Sequence, residues 1–299
     1  MNNSSDACSI YSSDSRCLNL FYSFTGIQLV MMVVGTILNL IIVTTFYTRP
    51  STRKKITNIL HFNQATADIF NVGIFGVIYV LSTLSELHNG HPSPDLMMLL
   101  FICLIISLLS SLLLYILISS ERLLSIYFPL RHRVYLRKKH IWFTVGLVWF
   151  IAIIFTSCGI VLRVFETNAL GVYLHFFSTV TLILTALITL LFVATFVKVL
   201  IANKFRKNES TQKAHTSNAR QNLRITLVFF VMFMAFAVGF IPYSLALYLQ
   251  IEGVVLPQII ITLILLASSS NAALTLYFRK PFLICPAAWR TTNIEMQQA

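Results

Sequence analysis

Residues 101–133 read FICLIISLLSSLLLYILISSERLLSIYFPLRHR, and this stretch decides the class of fold. Its first twenty residues carry no charge, and an α-helix of that length crosses the hydrocarbon core of a bilayer, about 30 Å. Glu121 and Arg122 follow directly, and further basic residues lie beyond them at Arg131 and Arg133. A long apolar segment that ends in basic residues is typical of a membrane span whose end faces the cytoplasm.

The rest of the chain has the composition of a membrane protein. Hydrophobic residues make up 57% of the 299 residues, charged residues only 11%, and mean hydropathy is +0.80; soluble domains carry about 25% charged residues. Seven apolar blocks lie at about 20–48, 56–84, 94–126, 139–163, 171–203, 217–249 and 255–278. These blocks are much longer than the roughly ten-residue strands of a membrane barrel, and a bilayer otherwise admits only helices. The sequence therefore predicts an all-α membrane protein, a bundle of seven transmembrane helices.

Positive charge is distributed as in a membrane protein rather than in a nucleic-acid-binding protein. The net charge is +12, but the basic residues form short runs between the apolar blocks. If the N-terminus lies outside the cell, only Arg16 and Arg163 of the 22 basic residues lie at the outer side, in agreement with the positive-inside rule. We therefore expect a plasma-membrane protein with an extracellular tail at 1–19, the bundle at 20–278 and a cytoplasmic segment at 279–299.

The predicted extracellular tail contains candidate modification sites. Asn2 and Asn3 each begin an Asn-x-Ser sequon, which makes them glycosylation candidates in an extracellular tail. Cys8 and Cys17 lie in the same tail and are candidates for an extracellular disulfide. No group of residues in the sequence has the spacing of metal ligands.

A few polar side chains lie inside the predicted spans, where ionisable groups are costly and commonly functional. Asp68 lies well within the second span, and Glu121 lies at the inner end of the third span beside Arg122. Small polar residues in the other spans are Asn39, Ser111, Ser268 and Asn271. If the helices form a bundle, these side chains converge on Asp68 near the middle of the membrane. A carboxylate ringed by hydroxyl and amide oxygens suits a sodium ion, and we expect no other metal or cofactor.

Five short motifs, each in a different span, occur in a fixed order. They are GTILN (35–39), NQATAD (63–68), ISSERLLSIYFPLRHR (118–133), FAVGFIPY (236–243) and SSSNAALT (268–275). Together they resemble the G-x-x-G-N, N-L-A-x-A-D, I-S-x-D/E-R-Y, F-x-x-x-W-x-P and N-P-x-x-Y motifs of the rhodopsin-like G-protein-coupled receptors. The resemblance covers almost the whole chain, with Phe240 at the tryptophan position, Ala272 at the proline and Thr275 at the tyrosine.

The resemblance implies a G-protein-binding surface at the inner side. Arg122 is expected to pair with Glu121 at rest and to engage the C-terminus of a G protein on activation. Pro129 and Leu130 are expected to form a loop that inserts an apolar side chain into the same partner. The resemblance further implies a short amphipathic cytoplasmic helix after the seventh span, in which Cys285 is a palmitoylation candidate.

The resemblance also implies an activation switch in the sixth and seventh spans. Pro242 is expected to kink the sixth span, whose outward swing opens the cytoplasmic side. Phe236 and Phe240 are expected to form a packing switch below the ligand pocket. Asn271 is the residue that remains of the seventh-span motif.

The chain departs from the family pattern at several positions. Met97 stands where the family has its outer third-span cysteine, and the loop between spans four and five, about 164–172, has no cysteine. Asn222 stands where a second acid often clamps the arginine of the third span. We therefore expect a loosely held resting state with measurable basal signalling.

The candidate ligand pocket is described mostly by exclusion. Leu104 stands where amine receptors carry an acid, and Leu265 stands where the visual pigments carry the retinal lysine. The resemblance therefore argues against an amine ligand and against light detection. Arg163 and Tyr243 are further candidates for the pocket. A small apolar molecule, a lipid, an odorant or a short peptide all remain open as ligands.

Two other functions remain as alternatives to a receptor. The altered seventh-span motif is consistent with a non-signalling seven-span scaffold or decoy. A transporter fits less well because the chain shows no inverted repeat and has an odd number of spans. No phosphate loop, nucleophile elbow or metal constellation indicates an enzyme. The expected partners are a heterotrimeric G protein, an extracellular ligand and the lipid bilayer, and no nucleic acid.

Overall fold

A computed structural model describes residues 15–50, 52–89, 93–128, 137–165, 167–206, 213–249 and 255–278. Within these ranges it contains seven helices that are long and apolar enough to cross a membrane, and no strand. The predicted all-α class and seven-helix bundle are therefore confirmed. Several predicted features lie outside the described residues: Asn2, Asn3, Cys8, Pro129, Leu130, Cys285, the side chain of Cys17, and the amphipathic helix expected within 279–299.

Each span is one continuous α-helix except the second, which consists of three helical segments. The bounds, from the first span to the seventh, are Ser15–Thr48; Ile56–Ile69 with Phe70–Phe75 and Gly76–Asn89; Pro94–Tyr127; Lys138–Phe165; Thr167–Arg206; Lys213–Leu249; and Val255–Phe278. We call the end of the bundle where the first span ends and the fourth begins the basic end, because Arg49, Lys138 and Lys139 lie there. The opposite end is the N-terminal end.

Several helices extend beyond the apolar blocks that predict them. The first helix begins at Ser15, within the predicted tail of 1–19, and the fourth and fifth helices are separated only by Glu166. The sequence placed a loop of about 164–172 at that point. Hydropathy marks where a chain leaves the hydrocarbon, whereas helical hydrogen bonding continues into the polar interface, so the two boundaries differ.

The spans form a closed ring in which each packs against the next and the first packs against the seventh. The third span lies at the centre, since it contacts the second, fourth and fifth. Its inner surface is apolar at Ile105, Leu108 and Leu112, each at most 2% exposed. The third span therefore positions any residue that it carries among several neighbours at once.

The outside of the bundle is apolar, which is the reverse of a water-soluble protein. Phe143 is 76% exposed, Val30 60% and Phe150 58%, while Asp68 and Asn271 are each 1% exposed. In water such a surface would drive aggregation, but in a bilayer it faces lipid tails of the same polarity. The polar side chains must then find partners inside the bundle, because lipid tails offer none.

Two glycines let neighbouring spans approach closely. A Cβ atom on Gly239 of the sixth span would lie 3.0 Å from the backbone of Leu263 and of Ile264 in the seventh. A Cβ atom on Gly35 of the first span would overlap Oγ of Ser269 in the seventh. The seventh span is thus held against the first and the sixth, as is typical of small residues at helix contacts in membranes.

The second span contains a π-helical segment at Phe70–Phe75, directly after Asp68 and Ile69. A π turn holds more residues than an α turn; it is rare and frequently lies at a functional site. It rotates the remainder of the span relative to the part that carries Asp68. No sequence pattern predicts this feature.

Gly239→Ala is expected to lower stability by about 1–3 kcal/mol, because the added methyl group meets backbone that cannot rotate away. The measurement is the apparent melting temperature of purified protein in detergent. Gly146→Ala is the matched control, since a Cβ atom there meets nothing within 4 Å, and alanine is the better helix former. Equal melting temperatures for Gly239→Ala and Gly146→Ala would contradict the close approach of spans six and seven.

Candidate functional site

The second span carries a stripe of polar side chains along one face. Thr57, His61, Gln64, Asp68 and Asn71 follow one another at intervals of four and three residues, the spacing that places side chains on one side of a helix. The last four are each at most 5% exposed. A buried polar stripe of this length needs hydrogen-bonding or stacking partners along its whole length. The third, sixth and seventh spans supply them.

The seventh span supplies the partners of Asp68 and Asn71. Asn271 Nδ2 donates to Oδ2 of Asp68 at 3.4 Å, and Asn71 Nδ2 donates to Oγ of Ser268 at 2.7 Å. Ser268 also lies beside the Asp68 carboxylate. The structure therefore brings Asp68, Ser268 and Asn271 together, three of the five residues of the predicted polar network.

The other two members of that network lie differently. Asn39 of the first span lines a small cavity together with Asp68 and Asn271, and its amide donates to the carbonyl of Gly35 at 2.9 Å. Ser111 is buried on the third span at 2% exposure, but none of the hydrogen bonds described for Asp68 comes from it. Gln64, which the sequence did not single out, lies beside the carboxylate instead.

The cavity beside Asp68 is lined by buried polar atoms without partners. Oδ1 of Asn39, of Asp68 and of Asn271 have no hydrogen-bond partner, and neither the oxygen nor the nitrogen of the Gln64 amide makes a hydrogen bond of good geometry. A buried polar group without a partner costs roughly 1–3 kcal/mol. Oxygen atoms that can only accept are satisfied by a cation, and the oxygen atoms of this lining are of the ligand type that the predicted sodium ion would need.

Asn271 connects this polar network to the third span. Its Nδ2 atom also donates to Oη of Tyr115 at 2.9 Å, and Tyr115 is completely buried. The Tyr115 ring lies against Phe233 and Phe236 of the sixth span, with centroids 5.7 and 5.4 Å away. One tyrosine therefore contacts both the polar network and the aromatic side chains of the sixth span.

The sixth span presents an aromatic ridge to the interior. Its members are Phe229, Phe233, Phe236, Phe240 and Tyr243, again at intervals of four and three. The Phe236 and Phe240 rings stack at 5.4 Å with an interplanar angle of 19°, and Phe240 contacts Tyr243 at 6.3 Å. Pro242 lies inside the same helix, where it lacks the N–H that an α-helix uses at this position. The two predicted switch residues are thus in direct contact beside the predicted hinge.

Arg122 of the third span lies inside the basic end of the bundle, where the second and sixth spans contact it. Its Nε atom lies 2.9 Å from Oε2 of Glu121, and both side chains are less than 10% exposed. Its Nη2 atom donates to the hydroxyl of Thr57 on the second span. From the sixth span, the Phe229 ring lies 5.4 Å from the guanidinium carbon. The expected pairing of Glu121 with Arg122 is present in this geometry.

The four candidate pocket residues lie at or towards the N-terminal end. Among the described contacts, no hydrogen bond joins any two of them. Leu104 is half-buried and packs between two apolar clusters, one of which contains the fully buried Leu265. Tyr243 packs on Phe240. The Arg163 guanidinium lies 5.4 Å above the Phe101 ring, which explains how an arginine is held at the end of an otherwise apolar span.

Sequence reasoning missed His61, Gln64, Tyr115 and Phe229. A signal was available for the first two, because the four-three spacing from Thr57 to Asp68 indicates a single polar face. The same four-three spacing links Phe229 to the predicted Phe236 and Phe240, whereas Tyr115 had no comparable signal, since aromatic residues face both lipid and interior in these spans. These residues join the predicted ones into one connected set that runs from the polar network to Arg122.

Comparison with known families agrees with this arrangement. The family model described as 7 transmembrane receptor (rhodopsin family) matches residues 38–274, a region that includes Asp68, Arg122, Pro242 and Asn271. No curated protein matches the chain. Proteins of this family are receptors in the membrane and generally not enzymes. Because the match covers most of the sequence, the chain belongs to the rhodopsin family of seven-transmembrane receptors.

Proposed function

We propose that this receptor binds an extracellular ligand and activates heterotrimeric G proteins by outward movement of the sixth span. The observation that carries the proposal is Arg122, a charged side chain held inside the basic end by Glu121 and Thr57. Burying an ion pair rarely increases stability over apolar packing, and a charge inside a membrane span is functional by default. An arginine held in this way is suited to exchange its partners for acceptors on another protein.

The sixth span is the element suited to move. Its helix contains Pro242, and the missing hydrogen bond at a proline lets the two halves of a helix bend relative to each other. The aromatic ridge packs by ring contacts, which have no fixed hydrogen-bond geometry. Its rings are therefore able to slide against the neighbouring spans when the sixth span moves. A ligand that binds the bent and straight forms with different affinity then shifts the population between them.

The proposed orientation places the basic end in the cytoplasm. If the N-terminus is outside, 20 of the 22 Lys and Arg residues lie within or beside the cytoplasmic half, since only Arg16 and Arg163 lie at the other side. Such an excess of basic residues is the strongest determinant of membrane orientation. Arg122 then faces the compartment that contains G proteins, which supports a receptor in the plasma membrane.

The residues at the candidate pocket positions favour a small apolar ligand or a short peptide. Leu104 and Leu265 are apolar, and the absence of an acid at Leu104 removes the partner that an amine ligand needs. Arg163 is the only Lys or Arg of this end whose side chain is described, and it is suited to meet a carboxylate on the ligand. A non-signalling scaffold and a transporter are the outcomes that the next experiment separates from this proposal.

Arg122→Ala is expected to reduce ligand-independent G-protein activation to the level of cells without the receptor, because the charge that engages the G protein is removed. The measurement is a panel of dissociation sensors that covers each G-protein class, at matched surface expression. Arg137→Ala is the control, since it removes the same charge from an exposed position at the same end. Activation that survives Arg122→Ala would contradict the proposal, and substrate flux without any sensor response would indicate a transporter.

We further propose that Asp68 binds sodium with Asn39, Ser268 and Asn271. Replacing sodium by an equal concentration of N-methylglucamine is expected to lower the apparent melting temperature in detergent, because a bound ion stabilises the folded state by about 2.7 kcal/mol at a hundredfold excess over its dissociation constant. Asp68→Asn is expected to abolish the difference, whereas Glu86→Gln, a neutralised acid further along the same span, keeps it. The same sodium effect in the Asp68→Asn variant would contradict the site.

A further inference from the structure

The sixth span contacts Arg122 through an aromatic ring. The sequence predicts a loosely held arginine because Asn222 stands at the position of a second acid, and the side chain of Asn222 lies outside the described residues. Seven residues further along the same helix, the Phe229 ring lies 5.4 Å from the guanidinium carbon of Arg122. This distance is within the roughly 6 Å range of a cation–π interaction.

Phe229 is itself held in place by the second span. Its ring is 1% exposed and stacks on the His61 imidazole, with centroids 4.5 Å apart and an interplanar angle of 13°. His61 is 3% exposed and lies one helical turn from Thr57, which accepts a hydrogen bond from Arg122. The second, third and sixth spans therefore meet at one point, and the ring of Phe229 contacts both neighbours.

We propose that Phe229 and His61 are positioning residues that hold Arg122 inside the bundle at rest. They take the place of an acidic side chain at position 222, where this chain has Asn222 instead. This inference rests on the proposed function of Arg122. The ring attracts the guanidinium by its quadrupole, and His61 fixes the plane of the ring. A ring supplies no hydrogen-bond acceptor, so this contact leaves the N–H groups of Arg122 ready to bind a new partner. Outward movement of the sixth span separates Phe229 from Arg122 and from His61 together.

The size of the effect follows from the strength of the contact. A cation–π contact shielded from water changes an equilibrium by about two- to thirtyfold. Removing it is expected to raise the fraction of receptor with the sixth span outward, and therefore ligand-independent G-protein activation, within that range. Because Phe229 partly replaces the missing acid, the wild-type receptor is expected to have lower basal activity than the presence of Asn222 alone predicts.

The first test separates the cation–π interaction from ordinary packing. Phe229 is replaced by phenylalanine with one, two or three ring fluorines, which keeps the shape of the ring and weakens its quadrupole step by step. Basal activation is expected to rise with each fluorine. Equal activation across the series would overturn the proposal, because a ring that only fills space is indifferent to its quadrupole.

Conventional variants test the contribution of each partner. Phe229→Leu is expected to raise basal activation about two- to thirtyfold, and His61→Ala to raise it less. His61→Phe preserves the stacked ring and is therefore expected to keep basal activation at the wild-type level. Phe230→Leu is the matched control, since its ring contacts Phe192 and Phe196 of the fifth span rather than Arg122. Equal effects of Phe229→Leu and Phe230→Leu would contradict the proposal.

A distance measurement keeps this proposal separate from G-protein coupling. Spin labels at Leu124 and Leu227, both exposed on the third and sixth spans, report the separation of these helices in nanodiscs without any G protein. The Phe229→Leu variant is expected to gain a population at longer distance that Phe230→Leu lacks. Unchanged distances would overturn the positioning role, whereas a longer distance without activation of any G protein would overturn the proposed function and leave the positioning role intact.

Discussion

Asp68 and Arg122 carry charges inside a bundle whose outer surface is apolar, and the structure depends on how these two groups are satisfied. Lipid tails offer no hydrogen bonds, so the polar contacts of both groups must come from inside the bundle. Asp68 draws on the seventh span through Asn271 and Ser268, and Arg122 draws on the second and sixth through Thr57 and Phe229. Gly35 lets the first span approach the seventh closely, and the seventh span carries the partners of Asp68.

The two charged groups are connected by side chains rather than isolated. Asn271 contacts both Asp68 and Tyr115, and Tyr115 contacts the aromatic ridge of the sixth span, which ends at Phe229 beside Arg122. A change in the occupancy of the cavity at Asp68 can thus alter the packing of the sixth span. Tyr115 is the residue through which a coupling between this cavity and the sixth span would pass.

The sequence predicted the fold and part of the polar site, namely Asp68, Ser268 and Asn271, because an ionisable or amide side chain in an apolar helix is a strong signal of an interior position. A charged residue such as Asp68 or Arg122 in an apolar helix must face the interior, so its convergence with Asn271 or Glu121 follows from its identity. Phe229 and Tyr115 carry no such constraint, since a ring is equally stable against lipid and against another helix. The π segment at Phe70–Phe75 depends on tertiary packing, and helix boundaries such as Phe165 depend on the interface rather than on hydropathy.

The central claim is that Arg122 leaves Phe229 and Glu121 when a G protein binds. The most direct measurement is an experimental structure of the receptor in complex with a nucleotide-free heterotrimer. The account predicts that the Arg122 guanidinium lies against the C-terminus of the G protein, with the Phe229 ring more than about 6 Å away and therefore out of cation–π range. A complex in which Arg122 keeps its 5.4 Å contact with Phe229, or in which the G protein does not touch Arg122, would contradict it.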